Sequence, residues 1–401
     1  MKISSYPYRV KFAEPFRTAK GEYRERAGYL ISCEDNQGLC GWGEVAPFPG
    51  LSNETDAEVR AGLLVASALL MRFPAPTTPE QLSEVLFELD TTLETMPPSV
   101  RFGVELAILS YCEKGIGLPL PAMLGDEEGW RLVPVNGIVD PDSPLFEERI
   151  ADLRSRGVSC FKVKLLPGSR TERTERLEKL RSQLSVHETY RIDCNQMLTA
   201  EDALELVYRL GTQNLEYLED PLSPDRLKEL EHLSDKLPVP VALDESLMLL
   251  DLGSFIPRRA RKHVFVLKPT VLGGIRRTVR LGKSIIQNGG KVVVTSTLEW
   301  SHGLRGVYVV ASSLAGHNLL PSGLLTNDLF VPEGARYSFE QGAIIGIEVG
   351  DGPPQEGKGV SRRDVGAKEE TLREATDKDG KVGEQDRGSG KKRQVDKKGV
   401  S

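Results

Sequence analysis

Five short apolar runs each end in a charged residue, at spacings that could bring the five to one point. The runs are Cys160 to Lys164, Tyr190 to Asp193, Leu215 to Glu219, Val239 to Asp244 and Val264 to Lys268. Their ends lie 29, 26, 25 and 24 residues apart (193−164, 219−193, 244−219, 268−244). If each run is a strand, Asp193, Glu219 and Asp244 end three successive strands, and neighbouring strands lie about 4.8 Å apart. Three carboxylates that close repel one another and raise each other's pKa values. A divalent cation removes the conflict, and all-oxygen ligation suits Mg²⁺, with Mn²⁺ as a substitute.

Lysines flank this set. Lys162 and Lys164 are two apart, so both project to the same side of their strand. Two adjacent ammonium groups depress each other's pKa values, and a nearby dication lowers a lysine further, towards the range of a general base. Lys268 ends the last run and would face them. A cation between two lysines suits removal of a proton next to a carboxylate, with the metal stabilising a doubly charged enediolate. A lone acidic strand end is more often a helix cap or ion pair. Three in register between lysines are not explained that way.

The elements that must position these groups follow from the pattern between them. From Arg131 onward the chain reads strand, turn, helix, repeatedly. Leu132 to Val139 is the first strand, the five runs are strands two to six, Lys291 to Ser296 is the seventh and Asn318 to Pro321 a weaker eighth. Helix starts such as Thr199-Ala200-Glu201-Asp202 and Ser223-Pro224-Asp225 lie between them. Nearly continuous apolar strands mean both faces are covered, which implies parallel pairing with right-handed crossovers. The expected fold class is therefore α/β, a (β/α)8 TIM-type barrel over residues 131–325, with the charged ends at the C-terminal mouth where such barrels keep their chemistry. A doubly wound sheet is the competing architecture. No Gly-rich dinucleotide loop follows the first strand to support it.

Residues 1–115 read as an α+β unit, joined to the barrel by a Gly/Pro-rich connection over 116–130. Tyr29 to Cys33 and Leu39 to Glu44 flank a turn and form a hairpin. The polar stretch Glu14 to Arg26 reads as a solvated loop, or alternatively a lid over substrate. Helices are expected from near Glu54 to Met71, from Thr78 (with Pro79 and Gln81 forming a capping box) and from Ser99 to Lys114. Residues 326–350, with Ile344, Ile345, Ile347 and Val349, are expected to return onto the N-terminal unit. Residues 351–401 are expected to be a disordered tail. Positions 361–401 carry twelve Lys/Arg, nine Asp/Glu and no aromatics. A basic interaction tail (Lys391-Lys392-Arg393, Lys397-Lys398) is the alternative.

Composition bounds the partners. A net charge of −6 argues against a nucleic-acid binder. No apolar run approaches a membrane span, and Met1 to Tyr6 lacks a signal-peptide core. A small-molecule substrate is expected, in the cytoplasm or, if a transit peptide has been cleaved, in a plastid. The five cysteines are scattered with no C-x-x-C pair, so reduced thiols are expected, Cys194 packing away from Asp193.

Taken together, the Lys-x-Lys, Asp, Glu, Asp, Lys series resembles the enolase superfamily, in its muconate-lactonising subgroup. The resemblance is nearest to the o-succinylbenzoate synthase family of menaquinone and phylloquinone biosynthesis. It is carried by Trp42 to Thr55, Met96 to Ala107, Leu218-Glu219-Asp220-Pro221, Leu243 to Leu247, Leu267-Lys268-Pro269-Thr270 and Thr295 to Leu304. It implies an N-terminal α+β capping domain over the barrel, and Asp193, Glu219 and Asp244 as Mg²⁺ ligands. It implies Lys164 as general base and then acid, Lys162 as its modifier and Lys268 as a cation stabilising the enediolate and the aromatising ring. The implied reaction is syn dehydration of 2-succinyl-6-hydroxy-2,4-cyclohexadiene-1-carboxylate to 2-succinylbenzoate, a lyase activity. Ser296, Thr297, Leu51 and Ser52 are expected substrate contacts. Asp220 and Glu245, next to two ligands, are either partners that orient them or surface charges. Asn195, two past Asp193, is placed with the orienting partners. The Gly/Pro-rich stretch from Gly342 to Gly359 and the charged tail depart from the pattern without touching the site.

Three rivals remain. N-succinylamino acid racemases and dipeptide epimerases use the same two lysines, but the Asp-x-Asp that epimerases carry after strand eight is replaced by Pro321 to Leu325. A mandelate-racemase type needs a histidine after strand seven, and His302 falls in the following helix. A barrel without activity would have lost a carboxylate or a lysine, and none is lost.

Overall fold

The computed structural model describes residues 1–350 and 352, apart from 19, 20, 127, 128, 317, 332 and 333. Seven parallel strands pair in chain order: Asn136–Val139, Cys160–Lys164, Thr189–Asp193, Leu215–Glu219, Val241–Leu243, His263–Leu267 and Lys291–Val294. The circle closes through 319–323. Leu319 bridges Val292 and Gly323 bridges Thr295 on one side, and Ser322 bridges Val135 on the other, all parallel. Pro321 has no N–H to give a ladder, which keeps this eighth stave irregular. With both edges joined the sheet is a barrel, and the open doubly wound arrangement is excluded. The first strand is shorter than expected, because Val133–Pro134 belongs to a different sheet.

Strand alternation sorts the side chains. Tyr217, Ala242, Val264, Val266 and Val293, with Leu320, pack together inside the barrel. Residues of opposite parity, such as Ile192, Leu218, Leu243, Phe265 and Val292, join the larger core under the helices. Full burial of each such side chain is worth about 1.5–3 kcal/mol. Start signals work locally: Ser169 with Glu172 and Thr199 with Asp202 form reciprocal caps on helices Arg170–Gln183 and Ala200–Leu210. Ser223-Pro224 starts only a 3-10 turn, Pro224–Arg226, before helix Leu227–Lys236.

The N-terminal sheet is antiparallel, in the order Phe330–Val331, Lys2–Thr18, Gly21–Glu34, Cys40–Val45. Helices Asp56–Leu70 and Pro98–Ile116 pack on it, and Pro79–Leu93 packs on Pro98–Ile116. At the start of Pro79–Leu93, Thr78 caps Gln81 N as expected, but Gln81 Oε1 turns to Thr77 N (2.9 Å), leaving the capping box half made. A Cβ on Gly43 would lie 2.0 Å from Gly103 O, so strand Cys40–Val45 and helix Pro98–Ile116 meet backbone to backbone.

Apart from residues 19 and 20, the stretch Glu14 to Arg26 is strand rather than loop, with Glu14, Glu22, Arg24 and Glu25 exposed as expected and Arg26 buried. It forms the two arms of a hairpin, with Phe16 opposite Tyr23 and Arg17 opposite Glu22. Pro15 falls where the pairing is interrupted between Lys11 and Phe16, so its missing N–H breaks no ladder bond. Arg26 is buried (2% exposed) and donates to Pro47 O (2.7 Å), Leu298 O (2.9 Å) and Ala46 O. Hydrophobic alternation through Phe12, Phe16 and Tyr23 is masked in the sequence by the charges between them.

Two glutamates join the N-terminal unit to the barrel. Glu44 is fully buried and accepts from Trp300 N (2.8 Å), Ser301 N (2.9 Å), Gly303 N (2.9 Å) and the Tyr8 hydroxyl (2.5 Å). It thereby caps helix His302–Leu314. Glu105 accepts from Ile275 N (2.6 Å) and Arg276 N (3.1 Å), capping Ile275–Gln287. Glu44→Ala would strand three amides and a hydroxyl. The expected loss is about 3 kcal/mol of unfolding free energy, read from a lower urea midpoint at unchanged m.

Among the described residues of the return segment, only Phe330–Val331 joins the N-terminal sheet. Ala335–Glu340 pairs with Ala343–Val349, which pairs in turn with Val133–Pro134. Ile344 and Ile347 are buried there, while Ile345 is 42% exposed. The expected tail lies outside the described residues.

Candidate active site

A cavity of about 130 Å³ opens at the C-terminal end of the barrel and is lined by Lys162, Lys164, Asp193, Glu219, Asp244 and Lys268. The register explains the convergence. Lys164 pairs with Asp193, and Asp193 with Glu219, at the ends of adjoining strands. Glu219 pairs with Ala242, so Asp244, two residues on, faces the same way one step higher. Strands two and six are four staves apart, which sets Lys164 and Lys268 across the mouth from each other.

The two lysines of strand two differ. Burial alone would push both pKa values down. At Lys164 it prevails, reinforced by Lys162 and Lys268 against the pull of Asp193, and the pKa is lowered. At Lys162 the carboxylates of Asp193 (3.0 Å) and Glu219 (2.7 Å) overcome burial and hold the pKa well above the usual value. The expected depression therefore shows as a net lowering at Lys164 alone, since the carboxylates outweigh it at Lys162. Lys268 is raised too, because Asp244 at 2.5 Å and Glu245 outweigh burial. One neutralisable amine thus faces one persistent cation. Burial would raise the Asp193 carboxyl, but Lys162 and Lys164 keep it below the usual value.

Among the described residues no three His, Cys, Asp or Glu side chains already close round a single point. The ammonium of Lys162 lies against Asp193 and Glu219, and that of Lys268 against Asp244, so nitrogen balances the negative charge. Glu219 Oε2 is buried with no hydrogen-bond partner, an acceptor with nothing to accept from. An all-carboxylate set with one such oxygen has the donor chemistry of a hard dication.

The neighbours of these groups are now distinguishable. Asp220 is fully buried at φ +37°, and accepts from Asp244 N (3.2 Å), Ser246 N (3.1 Å) and Ser246 Oγ (2.7 Å). It orients the backbone that presents Asp244. Burial, with the Asp244 charge, pushes its carboxyl up to about 7. Glu245 lines the cavity, 3.9 Å from Lys268. Asn195 and Gln196, both at positive φ, also line it, and Asn195 N donates to Asp193 Oδ1 (3.2 Å).

Of the expected substrate contacts, Leu51, Ser296 and Thr297 line the cavity. Ser52 does not line it. Its Oγ accepts from Phe48 N (3.1 Å) and its N–H donates to Phe48 O (2.8 Å), so it shapes the turn that carries Leu51. The Ser296 and Thr297 hydroxyls both donate to Glu299. Sequence reasoning passed over Glu299, although it lies inside the Thr295 to Leu304 stretch. It also passed over Phe16, whose ring lies 5.2 Å from Lys164 Nζ. His302 is buried in its helix and stacks on Trp42, away from the cavity. All five cysteines are free, and Cys194 is buried. No helix of the described residues is long and apolar enough to cross a membrane.

Comparisons with known proteins bear on the family. A model described as "Enolase C-terminal domain-like" matches residues 146–337, and one described as "MenC, N-terminal domain" matches residues 1–111. The o-succinylbenzoate synthase of Thermosynechococcus vestitus is 29% identical over 248 residues, 60% of this chain and 67% of that one. The N-succinyl-L-Arg/Lys racemase of Bacillus cereus is 23% identical over 334 residues, 82% of this chain and 86% of that one. The solved dipeptide epimerase from Enterococcus faecalis, complexed with Mg and the dipeptide L-Leu-L-Tyr, superposes with a TM-score of 0.72 at 18% identity, covering 90% of this chain and 99% of that one. With a capping domain of the MenC type over a β/α barrel that carries its charged groups at the mouth, the chain belongs to the enolase superfamily.

Proposed function

We propose that the protein is an o-succinylbenzoate synthase, dehydrating 2-succinyl-6-hydroxy-2,4-cyclohexadiene-1-carboxylate to 2-succinylbenzoate in quinone biosynthesis. The observation that carries the reading is the opposed pair of lysines, Lys164 with a lowered pKa and Lys268 with a raised one. Asp193, Glu219 and Asp244 would hold Mg²⁺, or Mn²⁺ in its place. Bound there, the ion supplies charge stabilisation for the doubly charged enediolate.

The remaining work falls to side chains. Neutral Lys164 takes the proton from the carbon bearing the carboxylate, and the electron pair moves into the enediolate. The carbon–oxygen bond at the adjacent ring position then breaks. The same Lys164, now an ammonium, gives its proton to the departing hydroxide, so water leaves, the lysine returns to its neutral form and the ring becomes aromatic. Lys268 stays charged beside the ring face, where a cation is attracted to the forming π system. Lys162, held by Asp193 and Glu219, keeps its proton and helps hold Lys164 neutral. The match to a MenC N-terminal domain supports this substrate over others.

N-succinylamino acid racemisation is the second reading, supported by the Bacillus cereus relative and by lysines on both faces. Purified protein with Mg²⁺ is assayed on the cyclohexadiene and, separately, on N-succinylamino acids. Conversion of the diene to an aromatic product is expected. Racemisation without any dehydration would sink the reading.

A further inference from the structure

Glu299 follows the strand-seven end and is 1% exposed. Its Oε2 accepts from Ser296 Oγ (2.7 Å) and Thr297 N (2.8 Å). Its Oε1 accepts from Thr270 Oγ1 (2.5 Å) and from Thr297 Oγ1. One carboxylate therefore ties together two loops. Thr270 is two residues past Lys268, in the short helix Pro269–Leu272. Ser296 and Thr297 form part of the cavity wall. Ser296 Oγ also receives Leu298 N (2.9 Å) and Thr326 Oγ1 (3.1 Å), which brings in the segment after stave eight. The next residue, Trp300, gives its N–H to Glu44 of the capping domain.

The loop is irregular, with Leu298 at φ +64°, a conformation a branched side chain keeps only where its surroundings demand it. We propose that Glu299 is a positioning residue, which uses its four donors to set the ammonium of Lys268 and the Ser296-Thr297-Leu298 wall relative to each other. It does not touch the substrate. Its effect on turnover passes through Thr270 to Lys268, and its effect on binding passes through Ser296 and Thr297. The role assigned to Lys268 rests on the proposed function, whereas the placement of Lys268 by Glu299 does not.

Thr270→Val removes one donor at nearly constant volume and leaves the others in place. Its kcat is expected to fall about tenfold with KM within about twofold, because the altered group acts after binding. In Glu299→Gln the amide oxygen can keep the fixed Thr297 N–H, while the two hydroxyls on the other side rotate to accept from the NH₂. That variant is expected to fold, with kcat reduced and KM raised, since both arms of the network are loosened. Wild-type kcat in Thr270→Val overturns the proposal, as does a change confined to the melting temperature. Should the native enzyme leave the cyclohexadiene untouched, crystal structures of native and Thr270→Val protein grown alike still decide. A shift of Lys268 Nζ by about 1 Å or more supports the proposal, since a displacement of that size is enough to impair catalysis. An unmoved Lys268 overturns it.

Discussion

Lys164→Ala is expected to lower turnover by about a thousandfold or more, the scale of a lost general acid–base group. Mg²⁺ binding, followed by calorimetry, should persist, because the carboxylates are untouched and one nearby positive charge is gone. Lys164 serves twice in the proposed reaction, so no other side chain covers for it. Lys162 is the nearest amine, but Asp193 and Glu219 hold its proton. The same reasoning fixes a pH dependence. Only neutral Lys164 can take a proton, so kcat/KM rises with pH through its pKa. Burial, aided by Lys162 and Lys268, brings that limb below the ordinary range of a lysine. An alanine variant that retains substantial turnover would remove Lys164 from the base position, whatever the substrate proves to be.

Asp244→Asn is expected to weaken Mg²⁺ binding by about a hundredfold and to reduce activity at least as far, at the upper end of what lost partners of a metal site cost. An amide keeps the size of the side chain but removes the charge that a hard dication requires. The substitution also replaces the charged partner of Lys268 at 2.5 Å by a neutral amide, so the two losses combine. Calorimetric titration of Mg²⁺ separates them: weaker binding belongs to the carboxylate, and a residual deficit at saturating metal belongs to Lys268. Undiminished Mg²⁺ affinity would show that Asp244 serves Lys268 alone and is no ligand.

The five runs and their charged ends were readable without coordinates because a strand's parity is local. Residues two apart share a face, and an apolar run flanked by turn residues declares its own length. The barrel, the order of its staves and the helix starts at Thr78 and Thr199 followed from that. So did the return of Asp193, Glu219 and Asp244 to one end, which successive parallel strands impose. The stretch Glu14 to Arg26 was read as a loop and not as a hairpin for the complementary reason. Its charges rightly mark most of it as solvated, and only the carbonyls of Pro47 and Leu298 make Arg26 a buried residue.

What the sequence alone determined is the chemical inventory and the end of the barrel that carries it: three carboxylates, two lysines on one strand and a third across the mouth. What tertiary structure decided is the state of each group. Lys162 and Lys164 are the same residue type two positions apart. One is clamped between two carboxylates and the other sits under Phe16 with burial prevailing. Spacing cannot distinguish them, because a pKa depends on which charges of distant segments come within a few ångströms. Glu299 and Glu44 are hidden for the same reason. Their meaning lies in donors up to 29 and 259 residues away, and only the closed barrel with its cap brings those donors to them.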